Sequence, residues 1–262
     1  MSLDISIFIK IVTQNLHIFR LMRFVTKRTS TAEVQEYAKR KFVTVVTKNM
    51  PSAITTYKLC GVKHRHDGPA VIRGDGIVEW WLNGELHRDG APAIHNESMT
   101  IMHWYKHGFR HNAHGPAIVV PGSPDTWYKN GELHSNVCPA TVADGMYYWY
   151  NNGTKHRKGG PAVYNEDMSI QEYYKYDSLH RKDGPAVINR NTNTLAYYKN
   201  GVLHRKHGPA RITDDRLEYF FYGVYHREVG PAIINKKDET GKSNRYYTLG
   251  RSRRQNRLEP RF

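Results

Sequence analysis

Eight times along this chain a proline-alanine pair follows a histidine by five and six residues. The histidines are His64, His87, His111, His134, His156, His180, His204 and His226, spaced 22 to 24 residues apart. A fixed period of that size means stacked copies of one supersecondary unit, because one copy has too little surface to bury a core alone. Such an architecture spreads its chemistry along a ladder and does not gather it in one central site.

Inside each copy the pattern is dense. Seven residues before the histidine stands an aromatic residue, Tyr57, Trp80, Trp104, Trp127, Trp149, Tyr173, Tyr197 or Tyr219, and the next residue is aromatic in every copy but the first, which has Lys58. Glycine lies three residues before the histidine except at Asp177, and Asn-Gly recurs there, as in Asn130-Gly131. Arginine follows the histidine except at Asn112 and Ser135, and glycine precedes the proline except at Ala91 and Cys138. Aromatic residues favour extended backbone, and Asn-Gly takes up the positive φ angles of a tight reversal. Proline has no N–H to give a ladder, so Pro92, Pro116, Pro139, Pro161 and their equivalents mark strand starts. Each copy therefore predicts one hairpin: an aromatic strand, a turn, and a second strand opened by Pro-Ala. Arg211 breaks the apolar run that follows Pro-Ala elsewhere.

The expected fold is mainly β, an elongated sheet of about eight stacked antiparallel hairpins. Adjacent aromatics on a strand face opposite sides, giving two ladders of rings, with each alanine leaving room for a ring. Trp80, Trp104, Trp127 and Trp149 are expected between repeats, and arginines such as Arg157 in solvent. At one per repeat, His87, His111, His134 and His156 would stand about 9.6 Å apart, too far for neighbours to share a metal ion. Each is expected to hydrogen-bond backbone in its own or the next loop.

The run Trp127-Tyr128-Lys129-Asn130-Gly131-Glu132-Leu133-His134, echoed from Tyr197 to His204, resembles the MORN repeat. Copies of that repeat each form one hairpin of a long twisted sheet. The chain departs from the common pattern in its His-Arg-x-x-Gly-Pro-Ala phrase, which is similar to a repeat variant of hypothetical proteins in large DNA viruses and some bacteria. The resemblance spans residues 57 to 235. It implies scaffolding, protein assembly and contact with acidic membrane lipids.

Charge is unevenly placed. Residues 57 to 235 hold 21 basic and 18 acidic side chains, whereas residues 1 to 56 and residues 236 to 262 hold 9 and 3 each. The ends, not the sheet, are expected to meet acidic partners. Four segments follow: a helical segment over 1–50, the repeat domain over 55–235, a closing strand over 236–250, and a basic tail over 251–262. Ile5, Phe8, Ile9, Val12, Leu16, Phe19, Met22 and Phe24 fall at helical spacing without a span long enough to cross a bilayer. Ser30 to Glu33 offers a capping box for a second helix carrying Val34, Tyr37, Ala38 and Val45. These helices are expected to cap the sheet, with membrane-surface insertion and partner docking as alternatives. Tyr246-Tyr247-Thr248-Leu249-Gly250 repeats the aromatic pair and glycine, with Arg253 in the histidine register.

No catalytic constellation breaks the repeat. Ser98 and Ser135 lack a nucleophile-elbow context, and Cys60 and Cys138 have no CxxC companion, so neither a cofactor nor a metal is expected. The two cysteines fit an intracellular, reducing setting, including a virion or a membrane surface. The expected role is a non-enzymatic scaffold or assembly protein, with other proteins as partners and no small-molecule substrate; the resemblance suggests a component of a large DNA virus particle. The alternatives are a peripheral binder of acidic lipids and a nucleic-acid-associated protein acting through its termini, with Arg251, Arg253, Arg254, Arg257 and Arg261 as the candidate contacts.

Overall fold

The computed structural model describes residues 42–47 and 54–253. The chain divides into two compact units, Met1–Glu85 and Leu86–Phe262. The described residues of both form short antiparallel strands and contain no helix.

In the first unit strand Phe42–Thr47 pairs with Ile54–Leu59, running from Phe42 opposite Leu59 to Thr47 opposite Ile54. Ile54–Leu59 also pairs with Val62–Lys63 and with Val71–Arg73, which in turn pairs with Val78–Glu79. Val45, assigned from the sequence to a second helix, is thus a strand residue opposite Thr56. The reason is local: Phe42-Val43-Thr44-Val45-Val46-Thr47 is an aromatic followed by β-branched residues, whose restricted χ1 angles favour extended backbone. The apolar stripe from Ile5 to Phe24 and the capping box at Ser30 lie outside the described residues.

In the second unit a nine-stranded sheet runs in chain order through Thr141–Ala143, Met146–Tyr148, Val163–Asn165, Ile170–Glu172, Val187–Asn189, Thr194–Ala196, Arg211–Ile212, Arg216–Glu218 and Ile233–Asn235. Ile94–His95, Met102–His103 and Ile118–Val119 pair in the same manner. Beside this sheet stand two-stranded hairpins, such as Tyr150–Asn151 with Thr154–Lys155 and Tyr198–Lys199 with Val202–Leu203. Each repeat therefore makes two antiparallel pairings where the sequence suggested one.

The turn explains the difference. Asn130 and Gly131 both have positive φ, 52° and 86°, as a two-residue mirror-image turn requires. Such a turn pairs its immediate flanks, so Tyr128 faces Leu133 and Lys129 faces Glu132. The aromatic strand is closed by the residues just before the histidine and has no place for the Pro-Ala segment. That segment instead opens a strand that pairs with the residues leading into the aromatic pair, as Val163 does with Tyr148. Proline stays in the loop, where its missing N–H leaves no gap in the ladder.

The core follows the alanines. Ala70, Ala93, Ala117, Ala140, Ala162, Ala186, Ala210 and Ala232 are each 0 % exposed. Ala162 accepts from the Trp149 amide at 2.7 Å and donates to the Glu172 carbonyl at 2.9 Å, and Ala70, Ala117, Ala140 and Ala210 copy this bridge. The aromatic rings upstream, Trp104, Trp127 and Trp149 among them, are only half-buried. Arg211, the break in the apolar pattern, sits opposite Glu218 in the ladder and pairs with its carboxylate, to which Tyr225 also donates at 3.1 Å. Glu218 is 1 % exposed, and a buried carboxylate is tolerated only with partners of this kind.

Because no space surrounds the alanine, Ala162→Leu should lower stability by about 1–3 kcal/mol, the usual cost of overpacking. Urea titration is the measurement, with the exposed Lys158→Ala as a control expected within about 0.5 kcal/mol of wild type.

Candidate functional site

The in-register histidines come first because they are the most chemically capable residues of the repeat. Each Nδ1 sits against the hairpin of the following repeat. A turn residue there donates its backbone N–H to the ring: Asn83 to His64 at 3.0 Å, His107 to His87 at 3.1 Å, Asn130 to His111 at 3.1 Å and Asn152 to His134 at 3.1 Å. Asn200 to His180, Tyr222 to His204 and Leu249 to His226 continue the series at 3.2, 3.2 and 3.3 Å. Accepting at Nδ1 requires the neutral ring with its proton on Nε2. Burial lowers the pKa of His64, His134 and His204, with nearby cations acting in the same direction: His66 when charged, Lys129 and Lys199 respectively. These rings are structural acceptors in the role expected of them.

His156 departs from the series. The following repeat has Asp177 where glycine stands elsewhere, and the Asp177 carboxylate accepts from the Lys155 amide at 2.7 Å. The His156 Nδ1 is buried without a hydrogen-bond partner, and its ring stacks on Tyr176 at 4.3 Å.

The arginine after the histidine is not the solvated side chain that the sequence suggested. Arg157 lies with its guanidinium 4.0 Å from the centre of the Trp149 ring and donates Nη1 to the Pro161 carbonyl at 3.3 Å. Arg181, Arg205 and Arg227 do the same over Tyr173, Tyr197 and Tyr219, to Pro185, Pro209 and Pro231. The small residue before the proline lies close under this guanidinium: a Cβ on Gly160 would stand 3.0 Å from the Arg157 Nη1, and Ala91, the one alanine there, still lets Arg88 reach the Pro92 carbonyl at 3.2 Å. Where arginine gives way to Asn112, the amide still reaches the Pro116 carbonyl at 2.9 Å. Ser135 is too short for that reach, and there the glycine position admits Cys138, whose amide donates to the serine hydroxyl. The sequence held this signal in the fourth repeat alone, where arginine and glycine depart together at Ser135 and Cys138.

Of the remaining residues singled out from sequence, Trp80 and His87 are half-buried and Pro92 and Pro161 are buried, while Pro116 and Pro139 are half-buried. Arg251 and Arg253 lie in a hairpin strand paired with Tyr246–Thr248, not in a loose tail. Arg253 donates Nη2 to the Arg227 and Glu228 carbonyls at 2.7 and 3.3 Å. Arg254, Arg257 and Arg261 lie outside the described residues. Among the described residues no group of three or more His, Cys, Asp or Glu is placed to hold a metal ion, and no helix is long and apolar enough to cross a membrane.

Two surfaces are left over once these commitments are made. The first is a set of hairpin tips. Tyr176, Tyr222 and Leu249 occupy the first turn position, with φ of 49°, 47° and 48°, and are 56, 52 and 61 % exposed. Phe221, Val202 and Val224 are exposed beside them, and Phe221 packs edge-on against Tyr222 at 4.8 Å. The second is a cleft of about 540 Å³ between the loops of the sixth and seventh repeats, lined by Arg181, Lys182, Lys199, Arg205 and Lys206 with His180 and His204. Sequence reasoning missed both, because a regional charge sum and a consensus hide residues that differ from copy to copy.

Two outcomes follow from the ladder. With the folded-state pKa values of His64, His134 and His204 lowered, the unfolded chain binds more protons as pH falls below about 6.5, so stability is fullest above that pH and declines toward the folded values. Urea midpoints should fall between about pH 7.5 and 5.5, and His134→Asn should lessen the slope. Separately, Arg157→Ala should cost about 1–2 kcal/mol in the same assay, from the lost ring contact and the orphaned Pro161 carbonyl.

Comparison with protein families, characterised proteins and solved structures gives no match to this chain.

Proposed function

We propose that this chain is a non-enzymatic scaffold or assembly protein that holds protein partners on its hairpin tips. The observation that carries the reading is the identity of the turn residues. A left-handed turn position favours asparagine, which stands at Asn83, Asn130, Asn152 and Asn200. Tyr176, Tyr222 and Leu249 put large side chains there, where a bulky residue raises backbone energy, and leave them in water. Tyr176 stacks on His156 at 4.3 Å and Tyr222 on His204 at 4.1 Å while accepting from Lys199 at 3.0 Å, yet each keeps about half of its surface exposed, and large side chains left exposed at neighbouring tips mark a working surface.

The polar groups of the repeat support the same reading from the other side. Histidine and arginine, the residues most able to do chemistry, are engaged with backbone carbonyls and amides and with rings. Kinship with MORN-like repeats, and a place in a large DNA virus particle, belong to this proposal on the strength of the repeated phrase alone. The alternative in which Arg251 and Arg253 act as a free arm is the weaker one, since Arg253 is tied back to Arg227 and Glu228.

The test is a pair of measurements on Leu249→Asn combined with Tyr222→Asn. Urea stability should fall by no more than about 1–2 kcal/mol, because asparagine suits the turn while the stack on His204 and the Lys199 contact are lost. Cross-linking mass spectrometry in the native assembly should lose the links from the tips of the seventh to ninth hairpins. Retention of those links in a folded variant sinks the proposal.

A further inference from the structure

The repeat region is close to neutral as a whole, yet the cleft between the sixth and seventh repeat loops gathers five cationic side chains. Arg181, Lys182, Lys199, Arg205 and Lys206 line it, and no carboxylate does. Asp183, which follows Lys182, is exposed and is not part of the lining. The ion pairs of the described residues use other cations, such as Lys63, Arg73, Arg211 and Lys237. Like charges brought together this way repel, and among the described residues tyrosine rings, proline carbonyls and the Tyr222 hydroxyl, not carboxylates, face Arg181, Arg205 and Lys199.

The donors are also held in place. Arg181 and Arg205 are fixed by their proline carbonyls at 3.2 Å and by the rings of Tyr173 and Tyr197 at 3.9 and 3.8 Å. Each spends one N–H on that bond and keeps the rest of its planar fork, the geometry that suits phosphate oxygens. His180 and His204 accept at Nδ1, so each neutral ring carries an N–H at Nε2 on the same lining. Fixed donors of this kind bind anions with little further loss of freedom.

We propose that this cleft binds a compound carrying two or more adjacent phosphate groups. A volume of about 540 Å³ is that of a small-molecule site, and its five cationic side chains are more positive charge than one phosphate neutralises. A nucleic-acid strand fits less well. Its phosphates continue past the cleft, whereas the basic Arg-Lys pairs, which begin at Arg157-Lys158 in the fifth repeat, stop at Arg227-Glu228 in the eighth. The compound is a soluble polyphosphorylated molecule or the headgroup of a phosphorylated lipid, and the chemistry recognised is the same.

Calorimetric titration of the full chain at physiological salt tests this, with sodium tripolyphosphate as the probe. The variants are Lys182→Gln/Lys206→Gln and, as a charge-matched control at exposed lysines of other repeats, Lys106→Gln/Lys129→Gln. Tripolyphosphate should saturate at one per chain, weaken about tenfold or more in the first double variant, and bind the second as it binds wild type. Orthophosphate should bind more weakly than tripolyphosphate throughout. Phosphatidylcholine vesicles doped with a phosphoinositide separate the sources: capture that depends on Lys182 and Lys206 identifies a lipid headgroup, and its absence alongside tripolyphosphate binding identifies a soluble ligand. Equal weakening in both double variants, or no saturable binding, overturns the proposal. So does a single-stranded oligonucleotide that binds more tightly than tripolyphosphate with both variants equally affected.

Discussion

A tight turn with positive φ leaves a backbone N–H pointing out of its own hairpin, and in this protein the preceding repeat supplies the acceptor. That one hydrogen bond, from turn amide to histidine Nδ1, organises much of what surrounds it. It fixes the tautomer of the ring and the height at which one hairpin meets the next. With the histidine placed, the next residue's guanidinium can lie on the first aromatic ring and reach the proline carbonyl. The residue before that proline is then glycine or, beside Arg88, alanine. The alanine after it is enclosed where the aromatic residue's amide meets its carbonyl. Five residue types recur because each occupies space or satisfies a polar group that the previous one created.

Stability in such a chain is carried by many modest, equivalent contacts and not by one large core. The fully enclosed side chains are mostly alanines, which bury little apolar area each. The aromatic rings are half-covered, and much of their covering is cationic. A framework of this type tolerates change wherever a side chain points away from the ladder, so the tips and loops are free to take on different chemistry in different repeats. Tyr222 and Leu249 at one set of tips, and Lys182 and Lys206 at one pair of loops, are such departures.

The period, the alanine column and the structural role of histidine were legible in the sequence because each depends on spacing alone. The pairing partner of the aromatic strand was not. Proline reads as a strand start, which is correct, but the sequence does not say which strand it joins; the two-residue turn at Asn130-Gly131 decides that by closing on its own flanks. Arg157 reads as solvated for a similar reason, since a charged residue just before Lys158-Gly159-Gly160 resembles a solvated loop until the ring it covers is known. Val45 shows the opposite failure. An apolar spacing compatible with a helix was given more weight than the β-branched run that contains it. Arg211 seemed an exception to a strand pattern and is half of an ion pair whose other half, Glu218, lies seven positions further along the chain.

The ninth hairpin has a property that the other eight lack. At the register where they carry histidine it carries Arg253, and a guanidinium has no lone pair to offer. A further turn arriving at that edge, whether from this chain or from another copy of it, would bring an outward amide and find no ring nitrogen to receive it. Arg253 is meanwhile folded back on the carbonyls of residues 227 and 228. The ninth hairpin thus offers a donor where the others offer an acceptor, so a further turn would have to dock there, as the sixth hairpin does on the fifth, without a ring nitrogen to receive its amide.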